Sequence, residues 1–399
     1  MDVRTGYKQT EVGMIPKDWG VEPLGVVATF HKGKGLPKSE LDPFGVTPCI
    51  HYGELFTQYP ETIRNIISRT NSCENRFRSI TNDVLMPTSD VTPSGLAKAS
   101  CVTENGIILG GDILVIRTNK NCVYGPFLSY LIRHSRERVL QLVTGTTVYH
   151  IYAADMKKFR LLLPPVEEQQ AIAEALSDAE AYIQSLEQLI AKKRFIKQGA
   201  MQELLTGKRR LPGFSGEWEA KTIEDAADCL DNLRVPLNDS QRSKMKGDIP
   251  YCGANGVLDY INDYVVDDDI ILIAEDGGYF DEYAYRPIAY RMKGRCWVNN
   301  HAHILKAKAH VSQGFLYYSL VHKNILRFLA SGTRAKLNKS EMYKIEVDMP
   351  DNKNEQIAIA EALSDMDVEI GTLGEMLKKA RQIKQGMIQE LLTGRIRLI

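Results

Sequence analysis

The chain has no excess of either charge, because 50 Lys and Arg residues balance 50 Asp and Glu residues among its 399 residues. Taken alone, zero net charge weakly disfavours a nucleic-acid-binding protein. No apolar run reaches the 18 residues of a transmembrane helix, and the opening MDVRTGYKQT lacks the apolar stretch of a secretory signal. These absences predict a soluble protein of the cytoplasm without membrane contact.

Cysteine is sparse and shows no paired spacing. The seven cysteines are scattered, and none belongs to a C-x-x-C motif. An odd, scattered set favours reduced thiols over disulfides or a zinc site. Lone cysteines are mostly small buried apolar groups, and we interpret these in that way.

The sequence does contain a long internal repeat. Three segments recur in the same register: AIAEALSD at 171–178 and 358–365, IKQG at 196–199 and 383–386, and QELLTG at 202–207 and 389–394. The offset stays at 187 positions throughout, so no residue is gained or lost between the copies. The chain is therefore predicted to be two similar units in tandem.

Both copies carry the signals of long helices. Pro164 and Pro165 open the first copy and Gly207 closes it, while Pro350 and Gly394 hold the same places in the second. Apolar residues alternate in steps of three and four, at Leu176, Ala179, Ile183, Leu186 and Ile190, and at Leu363, Met366, Ile370, Leu373, Leu377 and Ala380. This heptad spacing predicts coiled-coil packing. We expect the two helices to pack antiparallel, although pairing between the chains of a homodimer stays open.

Near-identity also covers polar positions outside the apolar stripe. These positions are Glu174, Ser177, Asp178, Lys197, Gln198 and Gln202, with counterparts Glu361, Ser364, Asp365, Lys384, Gln385 and Gln389. Core packing does not explain repeated exposed polar residues. We predict that they bind the same partner twice, and recent duplication without selection is the competing explanation.

The two divergent segments predict α+β domains. Each opens near a tryptophan, Trp19 or Trp218, and continues through short β-like stretches, a helix and a last strand. The predicted organisation is a globular domain over 1–163, a helix over 164–207, a second globular domain over 208–350 and a second helix over 351–399. In the alignment of the two domains, the loop Thr88–Thr92 matches the loop Glu275–Tyr279. Loops at matched positions with different chemistry indicate two different targets.

Three motifs together identify a family resemblance. They are IPKDW at 15–19, LPPVEEQQAI at 163–172 following Gly145-Thr146-Thr147, and QELLTG at 202–207. The combined pattern resembles the specificity subunit of a type I restriction–modification system, over essentially the whole chain. The second copy departs from the family pattern at 351–354, DNKN, where a proline and an apolar residue are usual.

The resemblance implies how such a chain works. Each variable domain would be a target recognition domain that reads one half of a bipartite, asymmetric site in double-stranded DNA. The repeated helices would set the spacing of the half-sites, on the scale of a helical turn of roughly 34–36 Å, and would dock two methyltransferase subunits. S-adenosylmethionine is expected in those partners and no cofactor in this chain, while a restriction (nuclease) subunit is left open. Because LTGRIRL at 392–398 resembles LTGKRRL at 205–211, the end of the chain is expected beside its beginning.

Candidate DNA contacts come from basic and polar residues of the loops. Lys, Ser and Thr suit phosphates, whereas Arg, Asn, Asp and Glu suit base edges. The first domain offers Lys32, Lys34, Lys38, Thr88, Ser89, Thr92, Thr146 and Thr147, and the second offers Arg242, Lys244, Glu275, Asp276, Tyr279, Arg334, Lys336 and Asn338.

No catalytic residue is predicted. The sequence lacks the glycine loop ending in Lys-Ser/Thr of nucleotide hydrolases, and no glycine fingerprint for S-adenosylmethionine follows a strand. His301 and His303 would share one strand face as half of a metal site. No third ligand lies nearby by spacing, although His310 is close in sequence, so a structural or DNA-contacting pair is favoured and no metal is predicted. The run Asp267–Asp269 is interpreted as a solvated strand end.

Two other function classes stay open. A coiled-coil scaffold whose two inserts bind proteins agrees with the zero net charge. A tandem of carbohydrate- or peptide-binding domains is disfavoured by the rod-like repeat. Salt-dependent DNA binding would separate both from a DNA reader.

Overall fold

The structure is a computed structural model that describes residues 6–330 and 335–398. The chain forms two compact units of mixed α and β structure, residues 1–187 with 376–399, and residues 188–375. The first unit therefore combines both ends of the chain, whereas the second is continuous in sequence. Among the described residues, no helix is both long enough and apolar enough to span a bilayer.

The first unit contains strands and helices in the following order. The strands are β1 (Tyr7–Thr10), β2 (Gly13–Pro16), β3 (Gly20–Pro23), β4 (Ala28–Lys32), β5 (Thr47–Ile50), β6 (Thr62–Ile63), β7 (Ser68–Thr70), β8 (Phe77–Arg78), β9 (Asp83–Pro87), β10 (Ser89–Asp90), β11 (Ser100–Val102), β12 (Ile108–Leu109), β13 (Ile113–Thr118), β14 (Tyr149–His150) and β15 (Arg160–Leu163). The helices are α1 (Leu24–Val27), α2 (Glu54–Thr57), α3 (Gly125–His134), α4 (Arg136–Leu140) and α5 (Ala153–Met156), followed by the long helix α6 (Val166–Leu204), whose later part belongs to the second unit.

The second unit repeats this plan with longer strands. Its strands are β16 (Trp218–Thr222), β17 (Ala227–Cys229), β18 (Lys246–Gly253), β19 (Gly256–Ile261), β20 (Val266–Ala274), β21 (Ala289–Val298), β22 (Ala302–Ala307), β23 (Leu329–Ala330), β24 (Lys336–Leu337) and β25 (Glu346–Pro350). Its helices are α7 (Ile223–Ala226), α8 (Asp239–Lys244), α9 (Gln313–Val321) and α10 (Lys339–Tyr343), followed by the long helix α11 (Lys353–Leu391), which ends in the first unit.

One sheet order is common to both units. In the first, the strands lie β4-β13-β9-β11, and in the second they lie β17-β22-β20-β21, with antiparallel neighbours in each case. The central strands β9 and β20 are rich in apolar residues and largely buried, as expected for strands covered on both faces. Helices α3 and α9 pack on these sheets and complete the main core of each unit. The repeat predicted from sequence is therefore a repeat of fold.

Each long helix starts at a buried glutamine anchor. In the first unit, Gln169 accepts a hydrogen bond from the backbone N–H of Tyr124 (2.9 Å) and donates to the carbonyl of Pro164 (2.9 Å). In the second, Gln356 accepts from the N–H of Ser312 (2.8 Å) and donates to the carbonyl of Pro350 (2.8 Å). The glutamine thus links the start of the long helix to the residue directly before α3 (Tyr124) or α9 (Ser312).

The departure from the family pattern at 351–354 has a local replacement. Helix α11 begins at Lys353, and the Asn352 side chain accepts a hydrogen bond from the N–H of Asn354 at 2.9 Å. An asparagine that satisfies a free N–H at a helix start stabilises that start. Asn352 therefore supports the helix start at the place where the family pattern has a proline and an apolar residue.

A tryptophan–glutamate–arginine cluster recurs in both units. In the first, Arg397 donates to Glu168 at 2.6 and 2.8 Å, and the indole N–H of Trp19 donates to the same carboxylate at 3.0 Å. In the second, Arg210 donates to Glu355 at 2.5 Å through two nitrogens, and its guanidinium lies 5.7 Å from the ring centre of Trp218. Arg397 belongs to the segment that follows α11 in sequence, and Arg210 belongs to the segment that follows α6.

The C-terminal segment lies against the N-terminal strands of the first unit. The Tyr7 hydroxyl donates to the carbonyl of Gly394 at 2.8 Å, and Arg397 donates to Asp18 at 2.7 and 2.9 Å. Hydrogen bonding from Arg397 lowers the pKa of Asp18. The predicted proximity of chain end and chain beginning is confirmed within this unit.

Candidate nucleic-acid interface

In the first unit, predicted residues from two separate segments meet in a cleft of about 580 Å³. Lys32 ends β4, and Thr88 and Ser89 follow the central strand β9, so all three line this cleft. The cleft also contains His150 and Tyr152, whose rings stack at 6.0 Å. Lysine, hydroxyl, imidazole and exposed aromatic groups in one cleft are suited to phosphates and bases.

Strand pairing holds the second wall of this cleft in place. Ser89 pairs with His150, and the carbonyl of Thr88 accepts a hydrogen bond from the N–H of Ile151 at 3.1 Å. The turn before β14, the strand of His150, passes through Gly145, which has a φ of 116°, a conformation that favours glycine. The predicted contacts Thr146 and Thr147 lie exposed in that turn.

The other predicted residues of the first unit do not line this cleft. Lys34 and Lys38 are exposed on the segment that follows Gly33, and Thr92 is exposed and donates to Asp90 at 2.8 Å. Gly33 packs so closely on Gly110 that a β-carbon at Gly33 would lie 1.9 Å from the Gly110 carbonyl oxygen. This close approach fixes the path of the basic segment.

In the second unit, the matching loop has charged residues. The N–H of Leu337 donates to the carbonyl of Glu275 at 2.7 Å, and Asp276 forms a bridge with Lys336. In the first unit, Thr88 pairs with Ile151 as Glu275 does with Leu337, and Ser89 pairs with His150 as Asp276 does with Lys336. The loops that were aligned from sequence therefore hold equivalent places, and both pair with a segment from the C-terminal part of their domain.

A partly buried charge network lies beneath that loop. Arg234 donates to Glu275 and lies 3.0 Å from Asp231, and Lys336 lies 2.9 Å from Glu275. Burial alone would raise the pKa of Glu275, but hydrogen bonds from Arg234 and Lys336 outweigh burial and hold that pKa below its ordinary value. Glu275 is therefore a carboxylate fixed in place, with both of its oxygens engaged by Arg234 and Lys336.

The remaining predicted residues of the second unit differ in whether their side chains are exposed or already engaged within the unit. Lys244 and Asn338 are exposed. Arg242 donates to the carbonyl of Leu237 at 2.9 Å and to Asp239, so its guanidinium is already engaged within the unit. The Arg286 guanidinium covers the ring of Tyr279, and Arg334 lies outside the described residues.

The two predicted histidines have separate partners. His301 Nδ1 lies 2.6 Å from Asp276 Oδ1, next to the loop, whereas His303 is buried and its Nδ1 lies 2.6 Å from Asp231 Oδ2. The sequence did not reveal Asp231 as a partner, because it precedes His303 by 72 residues. The pairing of β17 with β22 brings the two together.

The repeated polar residues of the long helices fall into two groups. The exposed ones are Glu174, Asp178, Gln198, Gln202, Glu361, Ser364, Asp365, Gln385 and Gln389. Ser177 accepts a hydrogen bond from Arg64 at 2.9 Å. Lys384 pairs with Glu180, and Lys197 lies 2.5 Å from Asp367, so both lysines are engaged within their own units.

Those two lysines have equivalent surroundings. Lys384 lies 5.9 Å from the ring centre of Tyr130 on α3, and Lys197 lies 5.4 Å from that of Tyr318 on α9. Each lysine thus joins the two long helices and a tyrosine of the domain. Packing within the unit gives one reason for their repetition that the apolar periodicity does not reveal.

Comparisons with known proteins agree with this architecture. A family model described as "Type I restriction modification DNA specificity domain" matches residues 16–192 and 215–380. The chain belongs to this family of type I restriction–modification specificity subunits.

Several proteins show the extent of the similarity. The chain is 36% identical over 141 residues to the "Putative type I restriction enzyme specificity subunit S.HindORF215P" of Haemophilus influenzae, a match covering 35% of this chain and 34% of that protein. It is 22% identical to the type I restriction enzyme MjaVIII specificity subunit of Methanocaldococcus jannaschii, over 98% of this chain and 96% of that one. The crystal structure of a type I restriction–modification system S subunit from M. genitalium has the same fold, with a TM-score of 0.67, 15% identity and 98% coverage of both chains.

Proposed function

We propose that each unit reads one half of a bipartite DNA site through the loop after its central strand. The observation that carries this proposal is the equivalent placement of Thr88 and Ser89 in one unit and of Glu275 and Asp276 in the other. The two sheets have the same strand order, yet the loops present different groups. The same frame with different donors and acceptors supports two unlike half-sites.

Substitutions at Lys32 and Ser89 distinguish phosphate contacts from base contacts. A Lys32→Met substitution should weaken binding to all sequences and reduce the salt slope by about 1, because it removes one phosphate partner. A Ser89→Ala substitution should instead relax one position of one half-site, at a cost of about 1–3 kcal/mol. DNA affinity of the complex with its methyltransferase partner is measured over a range of salt concentrations.

Lys120 provides a matched control for this experiment. It is exposed in the same unit and follows β13, whose other end lies beside Lys32. Lys120→Met should leave affinity and salt slope unchanged. Equal effects of the Lys32 and Lys120 substitutions would count against the cleft as the DNA-contacting surface.

The two long helices are proposed to pack as an antiparallel coiled coil. In the first unit, Lys384 pairs with Glu180, and Arg381 pairs with Glu187 at 2.5 Å. Residue numbers therefore increase along α6 in the direction in which they decrease along α11. In the second unit, Lys193 with Glu369 and Lys197 with Asp367 run in the same sense, both at 2.5 Å. Reversing one pair, Glu187→Arg with Arg381→Glu, should restore most of the stability that each single change removes, measured by urea unfolding.

Two methyltransferase subunits are proposed to dock on the repeated exposed residues. Asp178 and Asp365 hold equivalent positions on α6 and α11, and both are exposed. Asp178→Arg should remove one partner and Asp365→Arg the other, counted by native mass spectrometry of the assembled complex. Loss of both partners from either single variant would contradict two separate docking sites.

The chain itself is proposed to recognise DNA in the cytoplasm without catalysing a reaction. S-adenosylmethionine would then be bound by the methyltransferase partner. The purified chain with S-adenosylmethionine and DNA should transfer no methyl group, and addition of the methyltransferase should restore transfer. Methyl transfer by the chain alone would refute this division of labour.

A further inference from the structure

We propose that Cys229, Asp231 and His303 form a binding site for one transition-metal dication of the zinc class. The Cys229 sulfur, an Asp231 carboxylate oxygen and a His303 ring nitrogen all lie within 4.8 Å of one another. These are the sulfur, oxygen and nitrogen donors that Zn²⁺ takes from proteins, whereas Mg²⁺ and Ca²⁺ prefer oxygen alone. The site does not depend on the DNA-reading proposal.

The orientation of His303 is the main support for this site. Its Nε2 lies 2.8 Å from the carbonyl oxygen of Leu337, and a carbonyl can only accept, so Nε2 carries the proton. A metal-ligating histidine usually donates its other ring N–H to a backbone carbonyl or a carboxylate, and His303 has this arrangement. That other nitrogen, Nδ1, faces Asp231 Oδ2 at 2.6 Å.

Two acceptors at this distance require a positive centre between them. The centre is either a proton shared between Asp231 and His303 or a metal ion. The sulfur of Cys229 beside the same two atoms favours the metal, because a thiol adds a soft ligand and is not needed for the proton. With ligand bonds of about 2.0–2.1 Å, metal entry would widen the Nδ1–Oδ2 separation to about 3.3 Å.

The site belongs to the second unit alone within the described residues. By the strand pairing of the two sheets, Phe30, Lys32 and Leu114 hold the equivalent places in the first unit. A phenylalanine, a lysine and a leucine do not provide that ligand set. We therefore expect one high-affinity ion per chain.

A bound ion would stabilise the second reading loop. Cys229 ends β17 and His303 lies on β22, while the ring of His303 holds the carbonyl of Leu337 in β24. The ion would tie these strands together directly beneath Glu275. Metal removal should then lower the unfolding temperature of the second unit.

The test is a titration of the metal-free full-length chain with Co²⁺ and Zn²⁺. One equivalent of Co²⁺ should produce a thiolate-to-cobalt absorption band, which Zn²⁺ should displace. Cys229→Ser should abolish the band, and both Cys229→Ser and His303→Gln should weaken Zn²⁺ binding by more than the 10–100-fold typical of an outer-shell change. Circular dichroism checks that each variant is folded, and Cys229→Ser decides the outcome if His303→Gln does not fold.

Two matched controls should retain full binding. His301→Gln removes the neighbouring histidine, which pairs with Asp276, and Cys296→Ser removes another buried cysteine of the same unit. Wild-type binding no tighter than that of Cys229→Ser would overturn the proposal, and a proton between Asp231 and His303 would then be the only occupant. Undiminished binding by His303→Gln would overturn it equally.

Discussion

Removal of the Arg210 guanidinium should destabilise the second unit strongly. The Glu355 side chain is fully buried, and within residues 6–330 and 335–398 no other side chain donates to its carboxylate. Breaking a buried ion pair by removing one partner costs about 3–5 kcal/mol, because the other charge stays buried. Arg210 retains 24% exposure, which lets water reach the vacated place. We therefore expect Arg210→Met to cost about 3 kcal/mol, at the low end of that range.

The first unit supplies the matched comparison. Arg397→Met leaves Glu168 with the hydrogen bond from the Trp19 indole at 3.0 Å. A hydrogen bond to a charged group contributes about 1.5–3 kcal/mol. The loss of the Glu168 contacts should therefore cost less by about 1.5 kcal/mol. Arg397→Met also removes two contacts with the half-exposed Asp18, which narrows the difference between the two variants to about 1 kcal/mol.

Urea unfolding followed by tryptophan fluorescence measures both effects. Trp218 and Trp297 lie in the second unit, and Trp218 lies beside Arg210. The double variant Arg210→Met with Glu355→Gln should recover at least about 1 kcal/mol, because the buried carboxylate is replaced by a neutral amide. A loss below about 1 kcal/mol in Arg210→Met, or no recovery in the double variant, would refute the buried-charge reasoning.

Three further perturbations test separate features of the fold. Gly33→Ala should prevent correct folding of the first unit, because its β-carbon would lie 1.9 Å from the Gly110 carbonyl oxygen, whereas Gly35→Ala, with open space around it, should be neutral in thermal unfolding. Asp18→Asn should destabilise the first unit near neutral pH but not in strong acid. The Arg397 hydrogen bond lowers the pKa of Asp18 from its ordinary value of 3.8. The stabilisation by the Asp18 carboxylate is therefore present above pH 3.8 and is lost as the pH falls through the lowered pKa. Urea unfolding over a pH series measures this. A circular permutant that joins the native ends and opens near residue 208 should keep helix content and DNA affinity, because Gly394 already contacts Tyr7; loss of DNA affinity with intact helix content would argue against it.

The sequence predicted well the features that the repeat controls. A constant offset fixes the register of the long helices, and the matched loops at Thr88 and Glu275 follow because they leave corresponding strands. Local capping and heptad signals are properties of neighbouring residues, so they can be read along the chain. The first helix, predicted over 164–207, spans Val166–Leu204, and the second, predicted over 351–399, spans Lys353–Leu391.

The features that long-range pairing controls were not predicted. Cys229 and Asp231 meet His303 only because β17 pairs with β22, and nothing in the spacing along the chain indicates this. The two repeated lysines, Lys197 and Lys384, have the sequence features of exposed helix residues. Their internal ion pairs depend on which residues of the opposite helix lie across from them, and the periodicity of one helix does not reveal this.

The division of the chain into one continuous and one discontinuous unit has a consequence for biosynthesis. All the residues of the second unit have left the ribosome once position 375 has emerged, whereas the first still needs residues 376–399. Leu391 and Leu392 are buried in the core of the first unit. During translation, part of the core of the first unit must therefore stay uncovered until residues 376–399 are made. A chain that stops at residue 375 would contain every residue of the second unit but lack part of the core of the first.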